Sequence, residues 1–124
     1  MSKDCGCSGG QQQQEKKAGS GLIQCESMQE FDNVLASTKQ LVVVDFYTTW
    51  CGPCKTIAPK VQQLAGKMSN VVFMKVDAEA VEDLAAREKV NRYPSFIFYR
   101  NKRRIDRMEG SNFDNLRALI EKHA

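Results

Sequence analysis

Leu41-Val42-Val43-Val44-Asp45-Phe46-Tyr47, followed three residues on by Trp50-Cys51-Gly52-Pro53-Cys54-Lys55, is the stretch that decides the fold. The first part is an unbroken apolar run closed by an acid and two aromatics, the pattern of a strand buried on both faces. After Cys54, the residues Ile57, Val61, Leu64 and Ala65 recur at helical spacing. Two thiols separated by two residues therefore lie at a strand-to-helix junction, where they can open and close a disulfide as one unit.

That position carries chemistry. At a helix N-terminus, unpaired backbone N–H groups and the positive end of the macrodipole favour an anion. A thiolate placed there has its pKa drawn down from about 8.5 toward neutrality, and the thiolate is the species that attacks a disulfide sulfur. Cys51 is the candidate nucleophile. Cys54, one turn along the same face, is the candidate resolving thiol, attacking the mixed disulfide and releasing a reduced substrate. Pro53 suits a first helical turn because the N–H it lacks has no intrahelical partner, and Gly52 lets an incoming chain approach. Two other uses of a CxxC compete with this one. A closed zinc site needs four ligands, and beyond this pair the chain offers only Cys5 and Cys7 in a polar tail and the lone His123. Inert core thiols fit poorly with an intervening Gly-Pro, which marks a turn.

Asp45 ends the apolar strand and is expected to be buried. Burial raises a carboxyl's pKa, and such a group can pass a proton to or from Cys54 during exchange. A structural ion pair is the plainer alternative. Pro94, in Tyr93-Pro94-Ser95, stands at the opening of the β-prone run Phe96-Ile97-Phe98-Tyr99 rather than inside it.

The WCGPCK run, the VVVDFY strand before it and Pro94 together resemble the thioredoxin family over roughly residues 21 to 124. The resemblance implies a central mixed β-sheet with helices on both faces and, as activity, reduction of protein disulfides. It implies the proton-handling role for Asp45, with Lys75 tuning that acid, and a cis bond before Pro94 that exposes the backbone of Tyr93 to an extended substrate. Trp50, Gly52, Pro53, Tyr93, Pro94 and Gly110 become the expected substrate-contacting residues. It further implies a flavin-dependent NADPH thioredoxin reductase as the partner that restores the dithiol, protein disulfides as substrates, a monomer, and no cofactor in this chain. Tyr93 and Ser95 replace smaller or threonine residues usual in the family, so substrate preference is expected to be this chain's own. Tyr47 stands where many members have tryptophan, Pro59 where the helix after the CxxC is kinked, and Asn101-Lys102-Arg103 where an Asn-Gly hairpin is usual. A disulfide oxidase or isomerase, and a binding module on the same fold, are the competing functions.

The remaining elements are read from periodicity. Leu22 to Cys25 forms a short strand; Ser27 with Glu30 makes a capping box before a helix bearing Phe31, Val34 and Leu35. Strands at Val71 to Val76, Ser95 to Tyr99 and about Arg104 to Met108, a helix around Glu82 to Glu88, and a last helix capped by Ser111 with Asp114 complete a mixed α/β pattern. Residues 1 to 20, with Cys5, Cys7 and four consecutive glutamines, specify no packed element and are expected to be a disordered extension to one domain at 21 to 124. Cys25 is expected to be a structural thiol.

Composition fits that reading. In 124 residues, 42% hydrophobic and 27% charged, there is enough apolar surface for one core. A net charge of +3 gives no electrostatic case for nucleic acid, and Arg100, Lys102, Arg103, Arg104 and Arg107 are read as a solvated sheet edge. No apolar run approaches the roughly 18 residues that span a membrane, and no signal core follows Met1. A dithiol reductant suits a reducing cytosol, so cytoplasmic residence is expected.

Overall fold

The structure, a computed structural model, describes residues 22–124. The extension expected at 1 to 20, with Cys5 and Cys7, lies outside the described residues. Among these residues nine elements follow in order: β1 (Leu22–Cys25), α1 (Met28–Ser37), β2 (Leu41–Tyr47), α2 (Gly52–Lys67), β3 (Val71–Asp77), α3 (Glu82–Arg87), β4 (Ser95–Arg100), β5 (Arg103–Glu109) and α4 (Phe113–His123). They form a five-stranded mixed sheet in the order β1-β3-β2-β4-β5. β2 is central, parallel to β3 on one side and antiparallel to β4 on the other.

Side-chain alternation along the strands divides the interior in two. Val42, Val44 and Phe46 of β2 join Met74, Val76, Ile97 and Tyr99 in a core covered by Phe31 and Leu35 of α1 and Leu84 and Ala85 of α3. Leu41 and Val43 join Phe73, Phe96 and Phe98 in a second core covered by Ile57, Val61 and Leu64 of α2 and Leu116 and Ile120 of α4. A strand apolar on both faces is thus required by a sheet with helices on both faces. The alternation also aims the polar positions: Asp45 and Tyr47 share parity with Leu41 and Val43, and Lys75 with Val71 and Phe73. All three therefore face the α2 side.

The capping box forms with its return arm displaced by one residue. Glu30 N–H donates to Ser27 Oγ at 3.0 Å, while Glu30 Oε1 accepts from Glu26 N–H at 2.9 Å. The cap of α4 differs from expectation. Asn112, not Ser111, is the N-cap, its Oδ1 accepting from Asn115 N–H at 3.1 Å. Ser and Asn are both strong caps, and the turn after β5 brings the second of them into place. The β4–β5 hairpin keeps a two-residue loop without glycine: Arg100 pairs with Arg103, and Asn101 and Lys102 take φ of 55° and 68°. Both sit in the left-handed region that a type I′ turn demands, a conformation that costs lysine more than asparagine.

Arg100, Arg104 and Arg107 of this edge are engaged locally. Arg104 reaches Glu88 Oε1 at 3.2 Å, Arg107 reaches Glu109 Oε2 at 2.9 Å, and Arg100 donates to the carbonyls of Lys39 and His123. His123 itself meets Asp106 at 2.8 Å. Cys25 is buried, its thiol 3.2 Å from the Ser27 carbonyl. Among the described residues, no helix is long and apolar enough to cross a membrane.

Candidate active site

The C-terminal end of β2 turns through residues 48–50 into α2, and Cys51 occupies the N-cap of that helix. Its sulfur accepts the N–H of Cys54 at 3.1 Å, its carbonyl accepts from Lys55 N–H, and its own N–H donates to the Thr48 carbonyl. The sulfur thus takes the role a serine or aspartate oxygen has in an ordinary cap, meeting a donor the helix cannot use internally. Pro53 lies in the first turn. Cys51 and Cys54 are joined by a disulfide with Cα atoms 5.3 Å apart, so the site is seen in its oxidised state. Gly52 takes no left-handed conformation, and a Cβ there would meet nothing within 4 Å. The fold itself makes no demand for glycine at that position.

Asp45 is 7% exposed. Burial pushes its carboxyl up to about 7, against the opposing pull of the Lys75 ammonium. Lys75 is its register partner on β3 and Phe96 its partner on β4. The Lys75 ammonium also lies 5.7 Å from the centre of the Tyr47 ring. The phenol of Tyr47 shares hydrogen bonds with Gln24, and burial is the main cause that raises its pKa. Asp45, Lys75 and Tyr47 border a cavity of about 310 Å³ whose other walls are Thr48, Thr49, Cys54, Lys55 and Ala58. The buried acid and the second thiol therefore open onto one space.

On the outer side, Trp50 is 66% exposed. Its indole N–H donates to Glu79 Oε2 at 2.6 Å, and its ring meets Tyr93 edge to face, centroids 6.3 Å apart. The Tyr93–Pro94 bond is cis. Ser95 Oγ donates to the Arg92 carbonyl at 2.6 Å, fixing the loop from within. Gly110, at φ 102°, donates its N–H to the Pro94 carbonyl at 2.9 Å. That φ lies in the region open to glycine and strained for other residues.

The expected residues thus fall into two groups, Cys51, Cys54, Asp45 and Lys75 along the α2 side of the sheet, and Trp50, Tyr93, Pro94 and Gly110 around the rim. Two participants are new. Glu79 is held by an Asx turn, its N–H donating to Asp77 Oδ1 at 2.9 Å, and reaches Trp50 from 29 residues away. Only the turn chemistry of Asp77 is readable locally. Thr48 lines the cavity beside Asp45 and Cys54.

A thioredoxin family model matches residues 23–122. The chain belongs to the thioredoxin family. It is 44% identical over 91 residues to Thioredoxin-2 of Saccharomyces cerevisiae, covering 73% of this chain and 88% of that one. It is 43% identical over 100 residues to thioredoxin of Mus musculus, covering 80% of this chain and 95% of the relative. Among solved structures, thioredoxin of Fasciola hepatica superposes with a TM-score of 0.80 at 36% identity, over 82% of this chain and 98% of that chain. Fold and CxxC together make this family member a thiol-disulfide oxidoreductase, a protein-disulfide reductase that acts through Cys51 and Cys54. Its partners are, in general terms, disulfide substrates and the reductases that restore the dithiol.

Proposed function

We propose that Cys51 is the nucleophile and Cys54 the resolving thiol of a dithiol reductant that an NADPH-dependent thioredoxin reductase recharges. The Cys51 thiolate attacks a substrate disulfide and forms a mixed disulfide, expelling the first substrate thiolate. Cys54 gives its proton to the Asp45 carboxylate, and its sulfur then bonds Cys51 sulfur. The bond between Cys51 and substrate breaks, and its electron pair leaves with the second substrate thiolate. Two electrons pass to the substrate, whose two thiolates take up protons from solvent to end as thiols, and the protein ends with the Cys51–Cys54 disulfide and a protonated Asp45. In the reverse direction, protonated Asp45 returns a proton to Cys54 as the reductase opens the bond.

The observation that carries this assignment is the N-cap: the Cys51 sulfur accepts the Cys54 N–H at 3.1 Å, a donor that remains to stabilise a thiolate after reduction. Lys75 biases the Asp45 proton electrostatically. Trp50, Gly52, Pro53, Tyr93, Pro94 and Gly110 form the surface that receives an extended substrate. Residues 21–124 constitute one domain, working as a monomer in the cytoplasm.

The test is NADPH-driven reduction of a protein disulfide by this chain with a thioredoxin reductase, using Cys51→Ser as control. Turnover that disappears in the control supports the assignment. Turnover that persists in Cys51→Ser, or none in the native chain with its fold intact, overturns it.

A further inference from the structure

Two buried side-chain atoms, Asp45 Oδ1 and Thr48 Oγ1, have no hydrogen-bond partner among the described residues. Both residues are inside the protein, Thr48 at 2% exposure, and both line the 310 Å³ cavity that Cys54 also lines. A buried hydroxyl or carboxyl without a partner costs on the order of 1–3 kcal/mol, so two beside one cavity call for a shared partner. Water meets the requirement, because a cavity of this size has room for it and two or more polar groups to hold it. Thr48 is also tied to the disulfide by its backbone, its carbonyl accepting the Cys51 N–H at 3.4 Å. Its hydroxyl is therefore not a remote surface group but part of the turn that joins Asp45 to the thiols.

We infer that the Thr48 hydroxyl and the Asp45 carboxyl together hold a buried water beside Cys54, making Thr48 a positioning residue for the proton exchanged at that thiol. This rests on the reading of Asp45 as the group that takes the Cys54 proton. The transfer then runs in two coupled steps: the water accepts the Cys54 proton as it gives one of its own to the Asp45 carboxylate. The water is unchanged and the proton ends on Asp45. Thr48 neither gains nor loses a proton; its hydroxyl accepts from or donates to the water and fixes where it sits. The other titratable and charged groups bordering the cavity are Tyr47 on β2, Lys55 on α2 and Lys75 on β3, while β4 presents the apolar Phe96 as Asp45's partner. Among these walls, Thr48 supplies a small neutral group that can act as donor and acceptor at once. A hydroxyl and a water that bond to the carboxylate favour its charged form.

The test is the titration of Asp45 itself, followed by the NMR shift of its ¹³C-labelled carboxyl in the oxidised full-length chain, for native protein, Thr48→Val and Thr48→Ser. Valine keeps the shape and removes the hydroxyl; serine restores it. The expected result is a midpoint raised by about half a unit or more in Thr48→Val and native-like in Thr48→Ser. The pH profile of protein-disulfide reduction should move in step. If valine disturbs folding by circular dichroism, Thr48→Ala is the second hydroxyl-free variant, with the same expectation. An unmoved midpoint in the folded hydroxyl-free variant overturns the proposal, as does an equal shift in Thr48→Ser. Failure of the underlying relay would look different: Asp45→Asn would leave the pH profile of exchange unchanged, while the carboxyl titration would still respond to Thr48.

Discussion

Trp50 meets Tyr93 edge to face, with ring planes at 83° and centroids 6.3 Å apart, at the mouth of the disulfide. The contact puts a large ring in front of the cis Pro94 and gives Trp50 a second anchor besides Glu79. Such a pair contributes about 0.5–1.5 kcal/mol beyond its buried area. Tyr93→Ile should therefore change KM for protein disulfides several-fold, while reduction of a small disulfide such as an aromatic dithiobis compound changes less. Equal effects on both substrates would remove Tyr93 from substrate selection.

Trp50 is the only tryptophan of the chain, so its fluorescence reports on the site alone. Glu79→Ala removes the acceptor of the indole N–H and should lower the fluorescence anisotropy of Trp50 and raise KM for protein substrates. Anisotropy equal to that of the native chain would mean the indole is held by Tyr93 without help from Glu79.

Asp45 sets a pH dependence of stability whose direction is fixed by its raised pKa. In the folded chain it keeps its proton up to about pH 7, against a reference value of 3.8. Between those values the folded state binds the extra proton, so stability falls as pH rises and levels off above 7, by about 4 kcal/mol in all. Asp45→Asn should flatten this slope, make the oxidised protein more stable above pH 7, and slow exchange at neutral pH by tenfold or more, as expected for loss of a general acid or base. Denaturant unfolding at pH 5 and pH 8 checks the first part, and a native-like slope in the variant would contradict it.

Cys54→Ser removes the thiol that resolves the mixed disulfide. Incubated with an oxidised protein substrate, this variant should accumulate a covalent adduct on Cys51, seen by intact mass as the sum of the two chains, while Cys51→Ser forms none. An adduct on Cys54 in the second variant would reverse the two roles.

Leu116 of α4 is fully buried with Ile57 and Val61 behind the α2 helix. Leu116→Ala should cost about 2–5 kcal/mol, lowering the denaturation midpoint without altering which cysteine reacts. A loss below 1 kcal/mol would indicate that α4 slides in to close the gap.

The parts of this fold that could be read from the chain are those where one local rule acts alone. β2 and β4 are apolar without alternation because both faces are covered, and Cys51 precedes a helical pattern with proline in its first turn, so strand, cap and redox pair were all legible. The α4 cap was not, because Ser111 and Asn112 are both good caps and only the path of the chain out of β5 chooses between them. The hairpin at Asn101 and Lys102 was weakly signalled, since lysine pays for a left-handed φ that glycine would adopt freely. Contacts between distant segments were illegible in principle: nothing near Glu79 announces Trp50, and nothing near Thr48 announces that its hydroxyl is sealed inside with Asp45.

The two loops that flank the disulfide, one ending in Pro94 and the other in Gly110, are fastened at their ends by main chain, the glycine N–H meeting the proline carbonyl at 2.9 Å, with the exposed Arg92–Glu109 ion pair at 3.9 Å beside it. A hydrogen bond between main-chain groups does not depend on which side chains those residues carry. Tyr93 on one side and Ser111 on the other can be exchanged for other residues while that contact is preserved, whereas Ser95 and Asn112 are held in place by hydrogen bonds of their own side chains. The rim can therefore drift toward new clients one residue at a time with the catalytic pair undisturbed, and Gly110, kept by its φ of 102°, is the letter that such drift must leave alone.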